Sequence, residues 1–310
     1  MAGETKLADM LVPEVWNDYI NPLIIEKSAL ISSGIMQNSE ALTKFANNKG
    51  DTFTMPRFKP ISGASQGGGL GYDGEALELR KIQSGAEKVT KIFRANAWGA
   101  TDFASMLSGA DPLKAVADQV AIYWKNEIQS SFIKSLAGIF GVLPNHTYQA
   151  TGELDFGAII DGIYSVLGER ANEITTIVAN SKLAWNIAQK SVASFNANPV
   201  NENTPKLGYY EIFGKKLIVD DTIPANEAYA FGDNAFAFAN CATKEPTETD
   251  RDALSGLEIL VSRQGWLIHP FGLSYKGVFN PTDDILAAAA SWEKIEEQDK
   301  LIKMVKITKA

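Results

Sequence analysis

A few short stretches of this sequence hold residue types that could do chemistry. Gly63-Ala64-Ser65-Gln66-Gly67 has the G-x-S-x-G spacing of a hydrolase nucleophile elbow, in which a serine hydroxyl is presented on a sharp turn from a strand into a helix. Its general base would have to be His146 or His269, the two histidines of the chain. The flanks, Pro60-Ile61 and Gly68-Gly69, offer no helix behind the serine, so a flexible Gly/Ser tip is the better reading. Gly69-Leu70-Gly71-Tyr72-Asp73-Gly74 matches G-x-G-x-x-G, but that spacing cradles a pyrophosphate only between a strand and the start of a helix, and neither is evident. Two distant histidines and one cysteine, Cys241, do not make a zinc set. Asp220-Asp221 and Asp283-Asp284 sit beside turns and read as solvated turn residues. Cys241 reads as a small buried residue. The expectation is therefore no catalytic centre, no cofactor and no metal. A soluble serine hydrolase using Ser65 stands as the enzyme alternative.

Composition narrows the classes further. The chain has 310 residues, 45% of them hydrophobic, enough for a substantial core and, by length, about two domains. Its 29 Lys and Arg against 37 Asp and Glu give a net charge of −8, which argues against a tight nucleic-acid binder. A lone cysteine forbids an intrachain disulfide and fits a reducing compartment. The opening MAGETKLADMLV lacks a basic-then-apolar leader pattern, and no apolar run approaches the roughly 20 residues that cross a bilayer.

The elements that must position these residues are uneven in kind. Asp111 to Gly141 reads as one long helix with Asp111 as N-cap, Pro112 at the first turn and Gly141 at the end. Leu113, Val116, Val120, Trp124, Ile128, Phe132, Leu136 and Phe140 recur every three or four residues as one apolar stripe. Before it, residues 1–50 read as an extended arm rich in large apolar side chains, among them Leu11, Val12, Trp16 and Ile20, which need another surface to cover them. Residues 51–99 read as a long hairpin whose arms are Thr52–Phe58 and Lys88–Trp98, with a Gly-rich tip. Arg57, Lys59, Arg80, Lys81, Lys88 and Lys91 give these arms a basic excess within an acidic chain. An isolated hairpin is marginal in water, so this one should lean on something else, such as another subunit. Beyond the long helix the pattern predicts helices over 155–169 and 181–189, and short strands over 175–179, 209–213, 216–220, 228–231, 235–239, 257–261, 265–269, 273–278 and 301–308. A short helix is expected over 284–290.

Several of these stretches together resemble the major capsid (coat) proteins of tailed bacteriophages. Phe213-Gly214-Lys215-Lys216-Leu217-Ile218-Val219-Asp220-Asp221, then Ile223-Pro224 and Tyr229-Ala230-Phe231-Gly232-Asp233, is similar to a passage of that family's central domain. Pro281-Thr282, Leu286, Ser291-Trp292-Glu293-Lys294 and the final Ile302–Ile307 run resemble its C-terminal end. Lys6-Leu7-Ala8-Asp9, Val12-Pro13-Glu14-Val15, Lys27-Ser28-Ala29 and Ser33-Gly34-Ile35 resemble its N-terminal arm. The resemblance implies an α+β chain with the wedge-shaped capsid fold shared with encapsulins. It places an N-terminal arm at 1–50, an extended β-hairpin loop at 51–99, a peripheral domain with the spine helix at 100–147 and 262–310, and an axial α/β domain at 148–261. It further implies a homo-oligomer of pentamers and hexamers that closes an icosahedral virion shell around double-stranded DNA, without sequence-specific binding and without a membrane. Such a shell is assembled in the bacterial host cytoplasm, with a portal protein and, in some members, a decoration protein. Because packing residues begin at Leu7, with no long charged helical segment before them, a separate scaffolding protein is expected. An encapsulin-like compartment shell shares the fold and is the nearer alternative.

Overall fold

The computed structural model describes residues 33–38, 40–48, 50, 52–58, 84–101, 112–190, 209–212, 214–252, 254 and 257–309. In chain order the strands are β1 (Met36–Gln37), β2 (Thr52–Phe58), β3 (Ser84–Thr90), β4 (Ile92–Thr101), β5 (Thr147–Ala150), β6 (Ile174–Ala179), β7 (Tyr209–Ile212), β8 (Lys215–Val219), β9 (Glu227–Gly232), β10 (Phe236–Cys241), β11 (Thr247–Asp252), β12 (Leu257–Pro270), β13 (Leu273–Tyr275), β14 (Trp292–Lys294) and β15 (Met304–Lys309). The helices are α1 (Glu40–Asn47), α2 (Pro112–Gly141), α3 (Phe156–Leu167), α4 (Ser181–Lys190) and α5 (Asp283–Ala287).

α2 is the predicted long helix. Its 30 residues span about 45 Å. The stripe from Val120 through Phe140 is buried as expected; the side chains of Leu113 and Val116 lie outside the described residues. Aromatic contacts along α2 show what it bridges. Trp124 meets Trp266 of β12 edge-on at 6.3 Å between ring centroids. One further turn pair along, Phe132 touches Phe236 of β10 at 4.9 Å and Phe231 of β9 at 6.1 Å. Phe140 packs on Tyr229 of β9 at 5.5 Å. The helix thus runs from one sheet to another, and the chain crosses between the sheets at the β9–β10 turn.

The larger sheet has six strands in the order β5-β15-β9-β6-β8-β7. Its period-two alternation serves two cores. Val178, Ile218, Tyr229, Phe231 and Met304 point to the α2 side, whereas Ile177, Leu217, Ala228, Ala230, Val305 and Ile307 point to α3 and α4. Burial on both faces explains why these strands read as continuous apolar runs. α3 begins where Asp155 accepts from the Ala158 N–H at 2.9 Å, the side-chain cap expected of an aspartate there. α4 is capped by Asn180 and by Asp221, which accepts from the Ser181 N–H at 2.9 Å.

The other main sheet centres on β12. β4 pairs along one side; β11 and β10 pair along successive halves of the other, and β1 adds to β10 in parallel. Phe236 and Phe238 of β10 enter the α2 core, while Ala237, Ala239 and Cys241 face a smaller cluster under α1 and the β2–β3 ribbon.

Some sequence expectations change here. The hairpin's second arm is not Lys88–Trp98. β2 pairs with β3, Thr52 opposite Thr90 and Phe58 opposite Ser84, and after Lys91 the chain leaves the ribbon to become β4 in the β12 sheet. The alternation of KVTKIFRANAW continues through that break, so periodicity could not register it. The two strands expected at 257–261 and 265–269 are one strand of 14 residues. Gly265 is no turn: a Cβ there would lie 2.6 Å from the Phe93 ring and 3.0 Å from the Cys241 carbonyl, so close packing requires the glycine. The strands also divide the chain differently from the boundaries at 147/148 and 261/262. β15, expected in the peripheral part, sits between β5 and β9 in the six-stranded sheet. β10 and β11, expected in the axial part, belong to the β12 sheet. β11, Thr-Glu-Thr-Asp-Arg-Asp, carries no apolar residue to announce a strand and forms by pairing on the template of β12.

Candidate assembly surfaces

The chemistry-bearing residues resolve into structural joints. His269 is 1% exposed and its Nε2 lies 3.2 Å from Oε2 of Glu87, which is 0% exposed. Glu87 Oε1 also accepts from the Gly272 N–H at 3.0 Å. This buried pair fastens β3, the root of the ribbon, to β12 and the turn after it. His146 is equally buried, with Nδ1 2.7 Å from the Met304 carbonyl and Nε2 3.7 Å from Asp299 Oδ1. Burial pushes the His146 pKa below its ordinary value, against the carbonyl bond and the Asp299 charge, which raise it. Neither imidazole is presented as a base to solvent. Cys241 is buried, and desolvation pushes its thiol up to about 12, which leaves it unreactive. No group of three metal-ligating side chains occurs among the described residues. Ser65 and the glycines at 63–74 lie outside the described residues.

One member of each aspartate pair, Asp220 and Asp283, is drawn into the fold, whereas Asp221 and Asp284 stay exposed as expected of turn residues. Asp220 is buried; its carboxylate accepts from the Thr222 N–H and hydroxyl at 3.0 and 2.6 Å and from Gln129 of α2 at 2.5 Å. Asp283 accepts from Arg94 at 3.2 Å and from Ser131 of α2 at 3.0 Å. Arg94 also donates to the Pro281 carbonyl at 2.7 Å and to Asn280 Oδ1 at 3.2 Å. Asn280, in the left-handed conformation at φ 49°, accepts in addition from the Phe93 N–H at 2.7 Å. This clamp joins β4, α2 and α5. Sequence spacing could not show it, because the segment 280–283 lies more than a hundred residues from Arg94 and Ser131.

The predicted interface residues fall in different places. Leu11, Val12, Trp16, Ile20, Lys59, Arg80 and Lys81 lie outside the described residues. Arg57 lies in β2 opposite Gly85. Lys88 is exposed on β3, with its N–H donating to Ser274 Oγ at 3.0 Å. Lys91 corrects the expectation of a basic arm: it is 6% exposed, and its ammonium donates to the Asn48 carbonyl at 2.6 Å. It is spent on holding the ribbon root to α1.

Among the described residues the subunit leaves several edges and faces open. β5 and β7 end the six-stranded sheet, and β11 ends one side of the other. β11 carries Glu248, Asp250 and Asp252 along one face, the charged edge that discourages promiscuous strand pairing. Tyr164, Trp185, Leu254, Val278 and Phe279 are large apolar side chains left in solvent. No helix among the described residues is long and apolar enough to cross a membrane.

No protein-family profile matches the chain. Among solved structures it resembles Mycobacterium phage Adephagia, with a TM-score of 0.56 and 11% identity over 91% of this chain and 90% of that one. It resembles the capsid of Ralstonia phage GP4 at 0.57 and 10%, over 77% and 83%. It resembles the Cyanophage Pam1 capsid asymmetric unit at 0.56 and 12%, over 91% and 92%. At those identities the likeness is one of fold, and the fold is that of a phage capsid subunit. Sequence then carries the assignment further. The chain is 30% identical over 321 aligned positions to the major capsid protein of Bacillus phage SPP1, covering 96% of each protein. It belongs to the major capsid proteins of tailed bacteriophages.

Proposed function

We propose that this chain assembles as pentamers and hexamers into an icosahedral shell that encloses a double-stranded DNA genome. The end-to-end match to the SPP1 major capsid protein carries this reading. It favours the phage shell over the encapsulin-like compartment and leaves the Ser65 hydrolase without a supporting relative. On this reading α2 and the β12 sheet form the peripheral part of the subunit. The six-stranded sheet with α3 and α4 forms the axial part. The apolar arm (Leu11, Val12, Trp16, Ile20) and the basic loop positions (Arg57, Lys59, Arg80, Lys81, Lys88) reach neighbouring subunits. Complementary charge in such contacts sets encounter and register more than affinity. The net charge of −8 suits a container that holds DNA without gripping it. The reading includes assembly in the host cytoplasm with a separate scaffolding protein, a portal protein at one vertex and an outer decoration protein.

The test is expression of the chain alone and with each neighbouring gene, followed by sedimentation and negative-stain microscopy. Uniform shells that need one added gene product support the whole reading. Uniform shells from the chain alone keep the capsid function and remove the scaffold. Monomers under every condition refute it.

A further inference from the structure

The six-stranded sheet ends at β5 on one side and β7 on the other. α3 packs over the β5–β15 end and α4 over β8 toward the opposite end. Both helices lie on the same face, sharing the cluster that contains Ile163, Leu167, Leu183 and Ile187. The outer stripe of each helix matches the other. α3 exposes Asp161, Tyr164 and Ser165; α4 exposes Lys182, Trp185 and Asn186. Each has a charge at i, an aromatic at i+3 and a small polar residue at i+4, so the three groups share one helix face. The charges are opposite, and neither the Asp161 nor the Lys182 side chain has a partner among the described residues. The aromatics are 50% exposed at Tyr164 and 64% at Trp185. Tyr164 keeps its hydroxyl on the subunit, donating to Asn172 Oδ1 at 3.3 Å.

We propose that these stripes are the two halves of one head-to-tail contact between copies of this chain. The α3 stripe of one copy receives the α4 stripe of the next, with Asp161 opposite Lys182 and the Trp185 indole against Tyr164. The proposal rests on the reading that copies form rings. Joining two different patches is a heterologous contact, which builds a ring where the rotation between copies closes. Tryptophan and tyrosine are the side chains that concentrate binding energy at such contacts. An unpaired acid and an unpaired base beside them set the register. A solvated helix face has no need of an indole that is almost two-thirds exposed.

The experiment uses the full chain under conditions in which the wild type assembles. Asp161→Lys and Lys182→Asp are made singly and together, and the concentration for half-assembly is measured by sedimentation. Thermal melting of the unassembled subunit serves as the folding control. Each single reversal is expected to raise that concentration about fivefold, and the double reversal to return it to within about twofold of wild type. Trp185→Ser, which removes the ring without touching charge, is expected to shift it in the same direction as the single reversals. Single reversals or Trp185→Ser that assemble like the wild type overturn the contact. So does a double reversal as impaired as either single. Wild-type rings alongside unaffected variants overturn this contact alone; a wild type that never forms rings overturns the ring reading as well.

Discussion

Replacing Glu87 with alanine should loosen the extended loop at its root. The carboxylate lies between β3 and β12, 3.2 Å from His269 Nε2 and 3.0 Å from the Gly272 N–H, and all three sites are sealed from solvent. Removing it leaves a buried imidazole and a buried backbone donor without that acceptor. Each unsatisfied group costs about 1–3 kcal/mol, so the two together cost about 2–6 kcal/mol. We expect a loss of about 2–6 kcal/mol in urea unfolding, a large part of the roughly 5–15 kcal/mol of a typical domain. Glu87→Gln keeps the shape and one acceptor and should lose about 1 kcal/mol. Hydrogen exchange locates the effect: amides of β2 and β3 should lose protection before those of α2, because the ribbon depends on this joint and the helix does not. A Glu87→Ala protein that unfolds within about 1 kcal/mol of wild type would refute the reasoning. Unchanged exchange in Thr52–Phe58 and Ser84–Thr90 would do the same.

Gly138→Ala should destabilise the subunit by about 1–3 kcal/mol in urea unfolding, because the added methyl would lie 2.3 Å from the Leu286 carbonyl and 2.8 Å from the Trp292 ring. An exposed-helix glycine would instead gain stability on the same change. His146 should make stability pH-dependent. Its folded pKa is depressed below 6.5, so the unfolded chain binds the proton more readily. Stability is therefore full above about 6.5 and falls as pH drops from there through the folded pKa, and His146→Leu should flatten that slope in thermal melting. Trp124→Phe should cost about 1–2 kcal/mol in the same unfolding assay: the indole donates to Ser262 Oγ at 3.0 Å in the core and would leave the hydroxyl unmatched.

The long helix was legible because its cause is local: an apolar stripe repeating every three or four residues, with a proline at its start. α3 and α4 were legible for the same reason, with Asp155 and Asn180 as visible caps. The strands of the six-stranded sheet could be read as apolar runs, because both faces are buried. What could not be read depends on distant partners. β11 is a polar run that becomes a strand on β12. Gly265 looks like punctuation until Phe93 lies against it. Lys91 looks like a solvent-facing loop cation until the Asn48 carbonyl captures it. The apparent turn acids Asp220 and Asp283 became clamps on α2 because Gln129 and Ser131 lie where only the tertiary fold brings them. The assembly surfaces are the least legible part, since the residues on a free edge are chosen by a neighbour that a single chain does not contain.

The most direct test of the central claim is a cryo-electron microscopy map of the particles this chain forms. The account predicts a closed shell with five-fold and six-fold rings, in which every subunit shows α2 bridging the six-stranded and β12-centred sheets. Particles without such rings, or a chain that stays monomeric at every concentration and with every neighbouring gene product, would contradict it.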